Sequence, residues 1–143
     1  MIQIPYRAYP IPADNKLDSK KSSFLRPVVD LTLPTPDGGQ IGYSAIIDSG
    51  ADYCLFHGDI GEQLGLEVKK GKALSFYGTG GRKQTAYFHE ITFFIEGEAI
   101  TSTVGFSYGI GSISVGLLGQ NGFFDTFKIE FDLKHQTISL VTY

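Results

Sequence analysis

The sequence predicts an all-β fold, and three observations support this prediction. Eight tyrosines and eleven phenylalanines among 143 residues are many for a chain of this length, and aromatic residues favour strands. Eighteen glycines interrupt the apolar runs, as in proteins whose strands are joined by tight turns. No long stretch has the periodicity of an amphipathic helix. The length suits one domain with a sizeable core.

Residues 1–23 are predicted to form an N-terminal arm, followed by one domain at residues 24–143. The arm contains three of the six prolines of the chain and the polar run DSKKSS at residues 18–23. Proline restricts itself and the residue before it to extended backbone, and chain ends are often poorly ordered. We therefore expect extended or poorly ordered polypeptide that packs on its own domain or on a partner.

The first half of the domain predicts three strands and a short helix. Residues 27–33 and 40–47 are rich in β-forming side chains, and the turn signal PDGG at residues 36–39 separates them. Residues 54–56 predict a third, short strand. Residues 59–65 predict a short helix with Asp59 as its N-cap, Glu62 three positions later and Gly65 as its end.

The second half of the domain predicts further strands separated by glycine-containing turns. The segment Gly78-Thr79-Gly80-Gly81 predicts the tip of a hairpin, because it lies between two long β-forming runs. A second short helix is predicted at residues 121–126. The strands are predicted at residues 72–77, 82–95, 99–106, 112–118, 127–132 and 137–141.

Composition excludes several classes of function. The formal net charge of −3 does not favour a nucleic-acid partner. A single cysteine rules out an internal disulfide and a cysteine-rich zinc site. The first residues contain neither the apolar segment of a signal peptide nor a membrane span. We expect a cytoplasmic protein without a membrane partner, a metal or another cofactor.

The segment AIIDSGADYC at residues 45–54 is the strongest candidate for a site of chemistry. An apolar strand ends there in Asp48, where partial burial disfavours the charged form of a carboxylate. The hydroxyl of Ser49 can bond to nearby backbone, and Gly50 lets the chain fold sharply and approach a ligand. This arrangement would hold a carboxylate rigid and partly dry. Taken alone, the tripeptide is weak evidence, and the alternative is a solvated aspartate in a turn after a strand.

Three segments in the right order resemble the retropepsins, the aspartic proteases of retroviral type. Residues 46–52 resemble their active-site loop, which reads apolar-Asp-Thr/Ser-Gly-Ala-Asp. Residues 76–81 resemble the flap of aspartic proteases. Residues 115–121 resemble the apolar-apolar-Gly segment that crosses behind the active-site loop. The tail at residues 123–132 is similar to that of cellular and bacterial retropepsin-like domains, so the resemblance covers the chain from about Pro27 to Val141.

This resemblance implies a single lobe with a closed or partly closed barrel, a flap hairpin and one or two short helices. It implies an aspartic endopeptidase that acts on peptide or protein substrates and needs no cofactor. Asp48 would be the catalytic acid and base, and Ser49 and Gly50 would hold it in place. By position, Leu55 and Leu117 would be further walls of the substrate pockets. Residues that would contact the substrate are Ala51, Asp52, Tyr53, Tyr77, Gly78, Thr79 and Gly80.

The resemblance also implies two chains. Aspartic proteolysis uses two carboxylates that share one proton, because like charges a few ångströms apart do not both ionise cheaply. The tripeptide Asp-Ser-Gly occurs once in this sequence. We therefore expect a homodimer in which Asp48 of each chain supplies half of the dyad, under closed two-fold symmetry.

One departure from the family pattern supports a second hypothesis. Gln120 stands where retroviral enzymes usually have an arginine that pairs with the acid equivalent to Asp52. Glutamine can donate a hydrogen bond but cannot form the ion pair. A weaker dimer would make the chain a weakly active or inactive binding or dimerisation module. A third hypothesis is an unrelated β-sandwich that binds a ligand, in which Asp-Ser-Gly is coincidental.

Other interpretations of single residues stay open at the level of sequence. Asp52 could form an Asx turn or enter a helix rather than bind substrate. Gly78 to Gly81 could be a plain hairpin turn, whereas a phosphate loop would need a following Lys-Ser/Thr. Cys54 and His57 have the spacing of metal ligands but lack a second pair. Ser49 would need a histidine nearby in space to act as a nucleophile.

Overall fold

The computed structural model describes residues 1–77, 81–111 and 115–143. These residues form twelve strands, one α-helix, α1 (Gly58–Gln63), and two 3-10 turns at Ala13–Asn15 and Val68–Lys70. The predicted all-β fold is confirmed. The strands are β1 (Ile2–Pro5), β2 (Arg7–Pro10), β3 (Ser23–Arg26), β4 (Val28–Pro34), β5 (Gln40–Ile47), β6 (Cys54–His57), β7 (Lys72–Tyr77), β8 (Lys83–Ile95), β9 (Glu98–Ser107), β10 (Gly116–Leu118), β11 (Phe127–Asp132) and β12 (Thr137–Thr142).

Six of the described strands close into a barrel. They pair in the order β4, β5, β10, β6, β9 and β8, and Thr32 of β4 then pairs with Phe94 of β8. Strand β7 extends this sheet outward, because it pairs with β8 as the other arm of a long hairpin. Strand β10 runs parallel to β5, with Leu118 opposite Ile47. The carboxyl ends of these two strands therefore meet at one end of the barrel.

Apolar side chains at alternate positions of the strands fill the barrel. In β4, Leu31 and Leu33 are buried, whereas Asp30, Thr32 and Pro34 are exposed or partly exposed. This alternation is the pattern of a strand with one face on the core. The ring of Phe56 packs edge-on against Phe93 and Phe106 in the centre. Each fully buried side chain of this size stabilises the fold by roughly 1.5–3 kcal/mol.

The N-terminal arm is extended and packs on its own domain. Strand β1 pairs with β12, and this pairing places Ile2 opposite Leu140, with both side chains buried in the core. Farther along the arm, the guanidinium of Arg7 donates hydrogen bonds to the hydroxyl of Ser44 and the carboxylate of Asp30 on the barrel. The hydrogen bond from Arg7 lowers the pKa of Asp30. The arm is thus tied to the barrel by burial at its start and by an ion pair farther along.

Helix α1 begins at Gly58, two residues earlier than a cap at Asp59 would require, so that predicted cap is wrong. The cap residue is His57, whose Nδ1 accepts a hydrogen bond from the backbone N–H of Asp59 at 3.0 Å. Gly65 follows the helix with a φ of +78°, as expected for the residue that ends it. None of the helices formed by the described residues has the length and apolar character needed to cross a membrane.

The predicted helix at residues 121–126 is also wrong, because Asn121 forms an isolated β-bridge with Tyr53 and residues 122–126 form consecutive turns. Gly122 has a φ of +103°, which a right-handed helix does not allow. Its N–H donates to the carboxylate of Asp125 at 3.0 Å. The strand predicted at residues 112–118 is observed as β10, and Ser112, Ile113 and Ser114 lie outside the described residues.

Candidate active site

Asp48 lies immediately after β5, at the end of the barrel where β5 and β10 meet. Its backbone N–H donates to the carbonyl of Leu118 at 3.0 Å, and its own carbonyl accepts from the N–H of Ala51 at 3.2 Å. The side-chain atom Oδ1 accepts a hydrogen bond from the backbone N–H of Gly50 at 2.9 Å. The half-buried carboxylate is therefore oriented by the turn that follows it.

A second segment of chain crosses behind this loop at van der Waals distance. A side chain on Gly119 would overlap the carbonyl oxygens of Tyr53 and Ala51, because a Cβ there would come within 2.6 Å of the Ala51 oxygen. Only glycine allows two backbones to approach so closely. The apolar-apolar-Gly segment predicted to cross behind the loop thus does so at Gly119.

The crossing segment also holds the loop by hydrogen bonds. The backbone N–H of Gln120 donates to the carbonyl of Ala51 at 2.8 Å, and that of Asn121 donates to the carbonyl of Asp52 at 2.9 Å. The two side-chain amides add a second set. The amide of Gln120 donates to the carbonyl of Ser49 at 2.9 Å, and that of Asn121 donates to the carbonyl of Asp52 at 2.7 Å. Gln120 therefore binds the loop backbone and not the carboxylate of Asp52.

Cys54 lies buried beneath the loop, and its hydrogen bonds join the loop to the crossing segment. Its Sγ accepts a hydrogen bond from the N–H of Gly119 at 3.4 Å and donates one to the carbonyl of Asn121 at 3.6 Å. Burial raises the pKa of the thiol to about 11, so the group stays protonated and able to donate near neutral pH. A thiol of this kind is a packing group and not a nucleophile.

A cleft of about 710 Å³ opens in front of Asp48 and brings most of the predicted site residues together. One wall is the loop, through Gly50 and the following residues, and the opposite wall is β7. Ser49 is exposed and does not line the cleft. Gly78, Thr79 and Gly80 lie outside the described residues. The predicted residues that line the cleft are Asp48, Gly50, Ala51, Asp52, Tyr53, Leu55, Tyr77 and Leu117.

Several residues of the cleft were not predicted. Leu74, Ser75 and Phe76 of β7 form part of its wall, and Phe88 of β8 also lines it. The ring of Phe88 packs edge-on against Tyr53 with 5.1 Å between ring centroids. The flap motif indicated a hairpin here, and the whole of its first strand could have been assigned to the cleft on that basis.

The other interpretations of single residues have clear outcomes in the described part of the chain. The carboxylate of Asp52 accepts no hydrogen bond from the described residues, so Asp52 does not form an Asx turn. The three histidines make their ring hydrogen bonds elsewhere: to the N–H of Asp59, the carbonyl of Val68 and the carboxylate of Asp132. None of these bonds involves Ser49, so the described residues contain no Ser–His pair at the loop.

Comparison with known proteins supports the fold. The chain is similar to a solved retropepsin-like aspartic protease from Rickettsia conorii, with a TM-score of 0.56 and 14% sequence identity over 96% of this chain and 99% of that one. No family model matches this chain, and no curated protein matches it. At this level of identity, the likeness concerns the backbone and not the chemistry. The chain therefore has the all-β fold of a retropepsin-like protease.

Proposed function

We propose that this chain is an aspartic endopeptidase that acts as a homodimer, with Asp48 of each protomer forming the catalytic dyad. The observation that carries the proposal is the position of Asp48 in the cleft. Its carboxylate is oriented by the N–H of Gly50, and its loop is held from behind by the segment at residues 119–121. A carboxylate fixed in this way at the mouth of a peptide-sized cleft suits acid–base chemistry.

The chemistry needs two such carboxylates. The ionised member of the dyad takes a proton from a water molecule held between the two, and the resulting hydroxide attacks the carbonyl carbon of the peptide bond. The protonated member donates a hydrogen bond to the carbonyl oxygen and stabilises the tetrahedral oxyanion. A proton then passes to the leaving nitrogen as the C–N bond breaks. The two carboxylates exchange roles and titrate as a unit.

A second chain is the source of the second carboxylate in this proposal. Asp48 and Asp52 are the acids in the described lining of the cleft, and Asp-Ser-Gly occurs once in the sequence. A two-fold axis beside the exposed Ser49–Gly50 turn would place Asp48 opposite its own copy. The site is complete only in the dimer.

The substrate in this proposal is an extended peptide. Strand β7 is the last strand of its sheet, and its outer edge pairs with no described strand. A peptide can add to such an edge through backbone hydrogen bonds. Ala51, Asp52 and Tyr53 would contact it from the loop side, and Tyr77 with Gly78, Thr79 and Gly80 from the other.

One observation favours the alternative of a weakly active or inactive dimerisation module. The side chain of Gln120 is engaged with the carbonyl of Ser49, and it leaves the carboxylate of Asp52 without an ion pair among the described residues. A missing ion pair beside the proposed two-fold axis would weaken the dimer and, with it, a site that exists only in the dimer.

The two functions are separated by comparing wild type with Asp48→Asn on a peptide library across pH. The amide is isosteric, so the fold and the dimer fraction should stay near those of wild type while cleavage is lost. An inhibitor that mimics the tetrahedral intermediate should block wild-type cleavage. Equal cleavage by both proteins would refute the proposal, and no cleavage by either would favour the inactive module.

Asp52→Asn is the matched control for the same experiment. It removes the other carboxylate of the cleft, so retained cleavage would exclude a dyad formed by Asp48 and Asp52 within one chain. Analytical ultracentrifugation in the same buffers tests the dimer. A monomer that cleaves peptides would contradict the two-chain site.

A further inference from the structure

A second groove of about 550 Å³ adjoins the candidate active cleft. The two spaces share the side chains of Tyr53, Leu74 and Phe88 as a common wall. Tyr53 is 42% exposed, and its edge-on contact with Phe88 places this aromatic pair at the boundary between them. The groove is therefore the continuation of the cleft on the side away from Asp48.

Strand β7 contributes residues to the lining of both spaces. The cleft is lined by the end of this strand, from Leu74 to Tyr77, and the groove by its beginning, at Lys72 and Leu74. A peptide that follows β7 from the cleft past the shared residues Tyr53, Leu74 and Phe88 would therefore enter the groove. The strand rises about 3.3 Å per residue, so the groove meets a peptide residue roughly three to five positions from the bond near Asp48.

The charges of the groove come from distant parts of the chain. Glu90 on β8 and Asp125 in the turn after β10 present carboxylates, and Lys72 at the start of β7 presents an ammonium group. Oδ1 of Asp125 accepts hydrogen bonds from the N–H of Gly122 and the hydroxyl of Thr126, while its Oδ2 accepts none from the described residues. Glu90 likewise forms no ion pair with a described residue.

We propose that this groove is a substrate subsite that takes a lysine or arginine side chain of the peptide, through Glu90 and Asp125. The inference rests on the proposed endopeptidase function. Two carboxylates against one ammonium give the groove a net negative charge, which complements a basic side chain and repels an acidic one. Leu74 and the Tyr53–Phe88 pair offer apolar surface to the methylene stem of such a side chain. Lys72 opposes the same preference.

The test uses a peptide that wild type cleaves, resynthesised with a single Lys, Gln or Glu at each position around the bond. Wild type should cleave the Lys peptide roughly two- to fivefold faster than the Glu peptide in kcat/KM at one distal position, since an exposed charge pair has an effect of this size. The double variant Glu90→Gln, Asp125→Asn should lose that difference. Lys72→Gln should enlarge it. Glu98→Gln, an exposed acid of β9 outside the groove, is the matched control and should leave it unchanged.

A binding measurement keeps this inference separate from the proposed chemistry. Fluorescein-labelled decapeptides of apolar residues, with one Lys or one Glu at a fixed distal position, are titrated against Asp48→Asn and followed by fluorescence anisotropy. Tighter binding of the Lys peptide that disappears in the groove double variant supports the subsite even if wild type cuts nothing. Equal cleavage and equal binding of the Lys and Glu peptides at every position would overturn the proposed subsite. So would a preference for Lys that the double variant retains.

Discussion

The two walls of the candidate cleft are held in very different ways. The loop wall, residues 48–53, is fixed from behind by the crossing segment through two backbone and two side-chain hydrogen bonds and by the close approach at Gly119. Among the described residues, the opposite wall, β7, is paired along one edge only, with β8. Tyr77 at its end is 76% exposed.

This difference matches what the proposed chemistry needs from each wall. An acid that shares a proton with its symmetry mate must be held within a fraction of an ångström, so rigidity is useful at the loop. A wall that admits an extended peptide and then covers it must move, so a strand with one free edge is useful opposite. Substitutions should therefore alter stability in the loop wall and alter substrate handling in the strand wall.

The largest expected effect is that of Gly119→Ala. The added Cβ would overlap backbone oxygens of Tyr53 and Ala51, which cannot turn away as a side chain would. Relief requires the loop and the crossing segment to separate, so we expect the free energy of unfolding to fall by about 3 kcal/mol. Urea denaturation measures this change in the free energy of unfolding.

Gly42→Ala is the control, because a Cβ on Gly42 of β5 meets nothing within 4 Å. The urea midpoint of this variant should stay close to that of wild type. Equal midpoints for the two variants would mean that the crossing does not brace the loop.

A smaller effect is expected from the thiol beneath the same loop. The pKa of Cys54 is raised from 9.0 to about 11 by burial, so the folded chain keeps a proton that the unfolded chain releases between these pH values. Stability must therefore fall as pH rises from 9 to 11, by about 2 kcal/mol at the upper end. Cys54→Ser keeps a hydrogen-bonding group that does not titrate in this range. Between pH 9 and 11, the unfolding free energy of wild type should therefore fall by about 2 kcal/mol relative to that of Cys54→Ser. Parallel pH profiles of the two proteins would contradict the burial of the thiol.

The loop wall was largely predictable from the sequence, and the reason is local. The strand ending at Ile47, the order Asp48-Ser49-Gly50 and the glycine of the crossing segment are each fixed by short-range chemistry, so their pattern can be read directly. The short-range pattern at residues 121–126 predicts a helix, whereas Gly122 has a positive φ and lies so close to Ser102 of β9 that a Cβ would overlap its hydroxyl. That contact joins segments distant in the sequence, so a short motif does not reveal it.

The groove beyond the strand wall was not predictable. Lys72, Glu90 and Asp125 come from a strand start, a strand middle and a turn, and only the closure of the barrel brings them together. Nor did the sequence indicate that the arm's first strand belongs to the core, because Ile2 and Ile4 alternate over too few residues to be told from chance. Contacts between distant segments depend on register, which composition and short motifs do not specify.

The smallest effect on stability is expected at the end of the strand wall. Tyr77→Ala removes a side chain that is mostly exposed, so the free energy of unfolding measured in urea should change by less than about 0.5 kcal/mol. Cleavage should nevertheless suffer, because Tyr77 lines the cleft and, in the proposed function, covers the bound peptide. We expect kcat/KM to fall at least tenfold. Tyr143→Ala removes an aromatic ring that is 82% exposed and lies outside the cleft lining, and it should alter neither quantity. If Tyr77→Ala lowered stability as much as Gly119→Ala does, the strand wall would be a structural brace like the loop, and the contrast between the two walls would be lost.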